Sequence, residues 1–203
     1  ERLDLRSVDP VRLAAYGILL QTEVMRRSID RPLRVAASSF EDRDRRFLWS
    51  LVQETLRWRA RLDAVIIPLL HRRLERLDAP VRVILRLAAA QIYVLDSVPS
   101  HAVVNESVRM AQRLATTGSD RLVNAVCRRL TEDGRARWMG LESPGDPSRL
   151  WVAHSHPPWL VDRWIARWGV EQTLSMLRWN NSRPDTWLRG RPVAPAPPLY
   201  GGG

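Results

Sequence analysis

The sequence predicts an all-α protein: a bundle of six to seven helices over residues 8–132, a small helical connector over 133–190, and an extended Pro/Gly-rich tail over 191–203. Three observations carry that expectation. Apolar residues recur at helical spacing along almost the whole chain. Proline, glycine and capping residues punctuate the pattern at intervals suited to short helices. No strand-like alternation interrupts it. With 45% hydrophobic and 27% charged residues, 203 residues can bury a core without disulfide staples.

Asp9-Pro10 opens the first helix, an N-cap followed by proline at the first helical position, and Val11, Ala14, Ala15, Ile18 and Leu19 follow on one face. The spacing predicts a short second helix over Pro32–Ala37. A longer one runs over Glu41–Trp58, with Phe47, Leu48, Leu51, Val52 and Thr55 inward. Leu62, Val65, Ile66, Leu69 and Leu70 continue to the basic stretch His71–Arg76. Asp78 is placed to cap the next helix, where Val81, Ile84, Leu85, Ala88 and Ile92 form the most apolar stripe and mark the central helix. Asp96 and Pro99 end it. Ser100 to about Ala115 and Ser119–Leu130 complete the bundle; Ser119 or Asp120 caps the latter, and Leu122, Val123, Val126 and Leu130 face inward.

Beyond Leu130, Gly134, Gly140, Pro144, Gly145 and Pro147 mark a linker, and seven of the nine tryptophans follow. Two short helices are expected there, one carrying Leu160, Trp164 and Trp168 and one from Gly169 to Trp179. Their tryptophan-rich surface calls for a neighbouring domain.

Charge narrows the function. The net charge is +10, all 32 basic residues are arginine, and 1–130 holds 23 of them against 15 acidic residues, while 131–203 holds 9 against 7. Arginine's planar fork suits phosphate and stacks on bases, so nucleic acid is the expected partner, with simple solubility as the alternative. The helical faces leave Arg2, Arg6 and Arg12, then Arg43, Arg45 and Arg46, off the apolar stripes as RNA-binding candidates. Pairing of the second group with Glu41, Asp42 and Asp44 on a solvated face is the competing reading. Arg128 and Arg129 suit the dipole at a helix C-terminus. Trp58, beside Arg57 and Arg59, fits a base or an interface equally well.

Other chemistry finds less support. Cys127, the single cysteine, lies beside the apolar stripe and fits a small buried hydrophobe better than a nucleophile. His154 and His156 alone are too few for a metal site. His101 and Asn105 suit capping and inter-helix bonds, and Asn124 a buried packing role. No apolar run reaches the ~20 residues of a membrane span, and the mixed-charge start lacks a signal-peptide pattern. A cytoplasmic location follows as the expectation.

Several ordered motifs carry a family resemblance over roughly residues 10–190. Asp44-Arg45-Arg46-Phe47, Leu51-Val52, Thr55-Leu56-Arg57-Trp58 and Leu62-Asp63 are similar to the third-helix region of NusB-like domains. Leu85–Gln91, Asp96, Pro99, His101–Glu106 and Val123–Leu130 resemble the NusB-like domain of RsmB-type ribosomal RNA methyltransferases. His156-Pro157-Pro158-Trp159-Leu160, Arg163-Trp164, Gly169, Asn180-Asn181, Pro184 and Trp187-Leu188-Arg189 look like the connector that precedes the methyltransferase domain of that family. The sequence departs from the pattern at Glu54 and Ala88, where glycine is usual, at Asp120-Arg121-Leu122 in place of a Gly-Phe approach, and at Cys127 in place of leucine.

The resemblance implies the RNA-binding, substrate-positioning portion of an enzyme that transfers a methyl group from S-adenosylmethionine to carbon 5 of a cytosine in small-subunit ribosomal RNA. In that family the catalytic domain carries a glycine-rich cofactor loop and a Pro-Cys nucleophile, and no stretch of this sequence matches either. The expectation is therefore a chain without catalytic, cofactor or metal residues, whose partners are RNA and a methyltransferase domain in cis. Glu1, in place of an initiator methionine, fits a fragment. A free-standing NusB-like antitermination factor and a protein-interaction module are the alternatives.

Overall fold

The computed structural model describes residues 8–95, 98–142 and 145–182, and within them the chain is helical with no strand. Seven α-helices build the bundle: α1 (Pro10–Met25), α2 (Asp30–Ala37), α3 (Asp42–Arg57), α4 (Arg59–Ile66), α5 (Ala79–Tyr93), α6 (Ser100–Leu114) and α7 (Ser119–Glu132). Three more follow: α8 (Gly134–Gly140), α9 (Leu150–Ala153) and α10 (Pro158–Asn181). The expected tail, 191–203, and Arg2, Arg6, Asp96, Pro144, Pro184 and Trp187–Arg189 lie outside the described residues.

Helix α5 is central, packed on α1, α3, α4, α6 and α7. Its apolar stripe widens into an almost fully buried cylinder, with Ile84, Leu85, Ala88, Ala89 and Ala90 wholly inaccessible. Three alanines in a row let neighbouring helices approach closely, which suits a helix buried on nearly every side. Leu33, Leu48, Leu51, Leu62, Ile66 and Leu130 close around it.

The caps differ from the sequence expectation in instructive ways. Asp9 does cap α1, accepting from the Arg12 amide at 2.9 Å, while Glu106 of α6 accepts from the Asp9 amide. Helix α2 starts at Asp30, two residues early: Pro32 falls in the first turn, where a missing N–H costs nothing, and the Asp30 amide donates to Ser28 Oγ at 3.3 Å. Asp78 occupies the N-cap position of α5, but its carboxylate accepts from the Thr116 hydroxyl at 2.8 Å instead of a helix amide. Gly118, at φ 85°, precedes α7 in place of a side-chain cap; L-residues rarely adopt that conformation.

A buried ion network ties α1, α4 and α5 together. Arg86 Nε and Nη2 donate to the two oxygens of Asp63 at 2.7 and 2.9 Å, and Nη1 reaches Glu23 at 3.0 Å. Glu23 also takes Arg82 and Arg59, each at 3.0 Å. Burial works to raise the Glu23 pKa, but Arg86, Arg59 and Arg82 outweigh it and hold the carboxyl below its usual range. Burial likewise opposes charge on Arg86, and its bonds to Asp63 and Glu23 again prevail.

The segment after α7 folds back onto the bundle. Trp138 of α8 stacks on Tyr93 at 5.4 Å, meets Trp58 edge-on at 5.9 Å, and lies under the Arg61 guanidinium at 4.1 Å. Arg61 also donates to the Trp138 carbonyl at 2.6 Å. Gly134 is required at the contact, since a Cβ there would overlap the Tyr93 hydroxyl, which is fixed by its bond to the Leu130 carbonyl at 2.7 Å. The Ala60 amide at the start of α4 then donates to Ser155 Oγ at 2.8 Å.

The two expected connector helices are the halves of α10, broken at Gly169 (φ 78°, ψ 171°). Leu150, Val161 and Leu177 form a small second core with Trp151 and Trp164 against it, whereas Trp159, Trp168 and Trp179 are exposed. Asn181 fastens the end of α10 by donating to the His154 carbonyl at 2.9 Å.

Candidate nucleic-acid interface

An open groove of about 860 Å³ lies where α1 and α6 begin and α5 ends. Its apolar surface is Phe47, Val94, Leu95, Val98 and Pro99, and its rim includes Arg12, Arg43 and Arg46 together with Asp9 and Asp44. Apolar floor and cationic rim suit a nucleic-acid strand, which presents flat bases and anionic phosphates at once.

The rim arginines are held differently. Arg12 Nε donates to Gln91 Oε1 at 2.7 Å, Nη1 lies 3.3 Å from Asp9, and the guanidinium sits 5.2 Å over the Phe47 ring. Gln91 is itself buried and oriented by its bond to the Leu87 carbonyl at 2.9 Å. The bond to Gln91 uses one of the five guanidinium donor positions, and with the ion pair to Asp9 it fixes the direction of the rest. Arg43 and Arg46 are exposed and form no ion pair among the described residues. Arg45 points the other way: it bonds the Ala37 carbonyl at 3.2 Å, the Phe40 carbonyl at 2.9 Å and Asp42 at 2.9 Å, pinning the α2–α3 turn. Of the three acids Glu41, Asp42 and Asp44, Asp42 is thus engaged with Arg45, and Asp44 lines the groove. Arg2 and Arg6 fall outside the described residues.

Of the other singled-out residues, Trp58, Glu54 and Cys127 take structural roles, whereas the capping expected of His101 and Asn105 and the burial expected of Asn124 are not found. Trp58 is an interface tryptophan, its Nε1 donating to buried Glu54 at 3.1 Å while its ring meets Trp138. Glu54, at a position where glycine is usual, thereby anchors both Trp58 and Arg57. Cys127 is inaccessible, and burial pushes its thiol up to about 12, opposite to what a nucleophile needs. His101 and Asn105 are exposed, and no side chain caps α6. Asn124 is half-buried, and Arg128 and Arg129 are solvent-facing near the end of α7.

No group of three or more His, Cys, Asp and Glu able to hold a metal occurs among the described residues. His156 Nδ1 bonds the His154 carbonyl at 2.7 Å, and its ring tilts against Trp164. His154 is buried, with Nε2 unpartnered, and burial, then the charges of Arg61, Arg178 and His156, lower its pKa to about 4 from 6.5. A neutral buried histidine stabilises the fold above its unfolded pKa, and that stability is lost as pH falls from about 6.5 towards 4. Screening included, the loss should be roughly 2 kcal/mol. Urea midpoints across this window check it: His154→Gln should flatten the dependence, and an unchanged dependence would assign it elsewhere.

A helical bundle with an arginine-rimmed groove at one end and a fixed helical appendage defines the class: an all-α domain built to present a basic groove. The chain belongs to the NusB family, whose pattern matches residues 9–132, and residues 156–190 match the ferredoxin-like domain of RsmF/B-like methyltransferases. It is 32% identical over 178 residues to ribosomal RNA small subunit methyltransferase B of Pseudomonas putida, covering 88% of this chain and 39% of that protein. The corresponding Pseudomonas syringae pv. tomato protein is 33% identical, with 88% and 38% covered. Transcription antitermination protein NusB of Xanthomonas campestris is 34% identical over 100 residues, 49% of this chain and 60% of that one. Among solved structures, T. maritima NusB superposes with a TM-score of 0.57 at 22% identity, covering 61% of this chain and 89% of that chain, a likeness of fold. The chain spans about two-fifths of the length of the methyltransferase relatives.

Proposed function

We propose that this chain is the RNA-binding and substrate-positioning portion of an S-adenosylmethionine-dependent ribosomal RNA cytosine-5 methyltransferase, and is not catalytic by itself. The observation that carries the reading is the groove: Arg12 held over Phe47 by Gln91, with Arg43 and Arg46 on the rim free of ion pairs among the described residues. The names of the Pseudomonas relatives point to small-subunit ribosomal RNA as the partner. The match at 156–190 favours this reading over a free-standing antitermination factor.

In this proposal residues 8–132 bind RNA, 133–190 connect, and 191–203 form a tail. Arg12, Arg43 and Arg46 contact the strand, Arg2 and Arg6 extend the contact at the start of α1, and Arg45 supports the rim by bracing the α2–α3 turn. A methyltransferase domain in cis supplies the cofactor site.

The test is binding of the chain to a small-subunit ribosomal RNA fragment over a salt series, with labelled S-adenosylmethionine present. Replacing both Arg43 and Arg46 with alanine should weaken binding about tenfold and reduce the slope of log K against log salt by roughly 1.4–1.8. A flat slope for the unmodified chain would defeat the RNA-binding reading, and methyl transfer by the chain alone would defeat the non-catalytic one.

A further inference from the structure

The bundle has a second basic end. The stretch His71-Arg72-Arg73-Leu74-Glu75-Arg76 joins α4 to α5, and its three arginines are exposed, with no ion pair among the described residues. Arg57, Arg59, Arg82 and Arg86, by contrast, are all engaged with carboxylates. The loop is not slack. Leu74 and Leu77 are buried, and Arg82, itself held by Glu23, donates to the carbonyls of Glu75 and Leu77.

Between this loop and the α6–α7 turn lies a polar cavity of about 220 Å³, lined by Arg72 and Arg76 and by Thr116, Thr117 and Ser119. Asp78 also lines it, but its carboxylate already accepts the Thr116 hydroxyl. The Arg72 and Arg76 guanidinium groups, without an ion pair among the described residues, and the Thr117 hydroxyl present donors of the kind that phosphate oxygens accept, whereas the Thr116 hydroxyl donates to Asp78 and Ser119 Oγ lies 2.9 Å from Thr116 Oγ1.

The cavity and the groove sit at opposite ends of α5, with Asp78 and Val81 at the first and Val94 and Leu95 at the second. Fifteen helical residues separate them by roughly 22 Å. At about 3.4 Å per stacked step, that is six or seven nucleotides of one strand.

We propose that the cavity carrying Arg72 and Arg76 is a second backbone contact for RNA, so that one RNA runs along the bundle from the Arg12–Arg43–Arg46 groove to this end. The inference rests on the RNA-binding reading above. The site takes phosphates and not bases, because its lining, though it includes Leu77, Val81 and Leu122, is mostly polar and offers no aromatic ring for stacking.

Two RNA lengths separate the outcomes. An oligonucleotide of about three nucleotides, some 10 Å at the same spacing, reaches one site only, and one of about fifteen nucleotides reaches both. Replacing both Arg72 and Arg76 with alanine should weaken the long RNA about tenfold and lower its salt slope by roughly 1.4–1.8, with the short RNA unchanged at the groove. Replacing both Arg31 and Arg34 with alanine removes the same charge from α2 and should leave the slope nearly unaltered. Equal loss in that control would reduce the effect to general charge. An unaltered long-RNA affinity in the Arg72/Arg76 variant, with the Arg43/Arg46 variant still impaired, overturns the second contact and spares the groove. If the Arg43/Arg46 variant is also unimpaired, the RNA-binding reading itself fails. All four arginines replaced around the cavity and on α2 are exposed, and circular dichroism of each variant is the check that folding is intact.

Discussion

Replacing Asp63 with alanine is expected to destabilise the fold by about 3–5 kcal/mol, because it strands Arg86 as a buried charge missing its bidentate partner. Arg86 is 6% exposed, and Glu23, its remaining partner, is already shared with Arg59 and Arg82. Urea denaturation of the variant checks this, and a loss under about 1 kcal/mol would mean that water reaches the site and screens the pair. Replacing Arg86 and Asp63 together with leucine and alanine should cost less than Asp63→Ala alone, since no unpaired charge is left beside them except Glu23, which retains two arginines. The acid limb follows in sign: Glu23 is held below its usual range, so its contribution is present above the unfolded carboxylate pKa and is lost as pH falls through the depressed value.

Replacing Trp138 with alanine should cost about 3 kcal/mol, combining lost ring burial with lost aromatic and cation–π contacts. The ring covers Tyr93 and Trp58 and lies 4.1 Å from Arg61, whose Nε has no partner and whose charge burial already disfavours. Trp138→Phe should recover a large part of the loss. The measurement that separates local from global damage is hydrogen exchange: with Trp138→Ala, amides of α8 and α9 should open well before those of α5. Uniform opening of the whole chain would show instead that the appendage belongs to the same cooperative unit as the bundle.

Much of the bundle was legible because it follows periodicity. The stripe Val81, Ile84, Leu85, Ala88 marked the central helix, and Asp9-Pro10 marked the start of α1 to the residue. Partnerships over distance were not legible. Arg12, Arg45, Arg61 and Arg86 look alike in one dimension, yet one lies over an aromatic ring on a groove, one braces a turn, one packs against two tryptophans and one is buried in an ion network. Glu23 and Arg86 are 63 positions apart, and helical spacing carries no signal for such a pair. Gln91 stood in a recognised motif, but its role of aiming Arg12 needed the α1–α5 packing. Cap residues were misread where a competing acceptor or donor was closer in space than in sequence, as with Asp78 and Thr116.

The way α8 and α9 are fastened has a consequence for geometry. Helix α8 rides on α4 and on Tyr93 of α5 through Trp138 and Arg61, and the segment after α9 is tied to α4 by the Ala60–Ser155 bond; Val94 and Leu95 of the groove follow Tyr93 directly. Asn181 in turn fixes the end of α10 to the same place. In the proposed function, whatever is joined to the end of α10 therefore inherits a set bearing and a set stand-off from the bound strand, as a caliper jaw does from its beam. On that proposal, selection of a nucleotide is partly a matter of measured distance, and lengthening α8–α10 by a few residues should move the point of action along the RNA without altering a single contact to it.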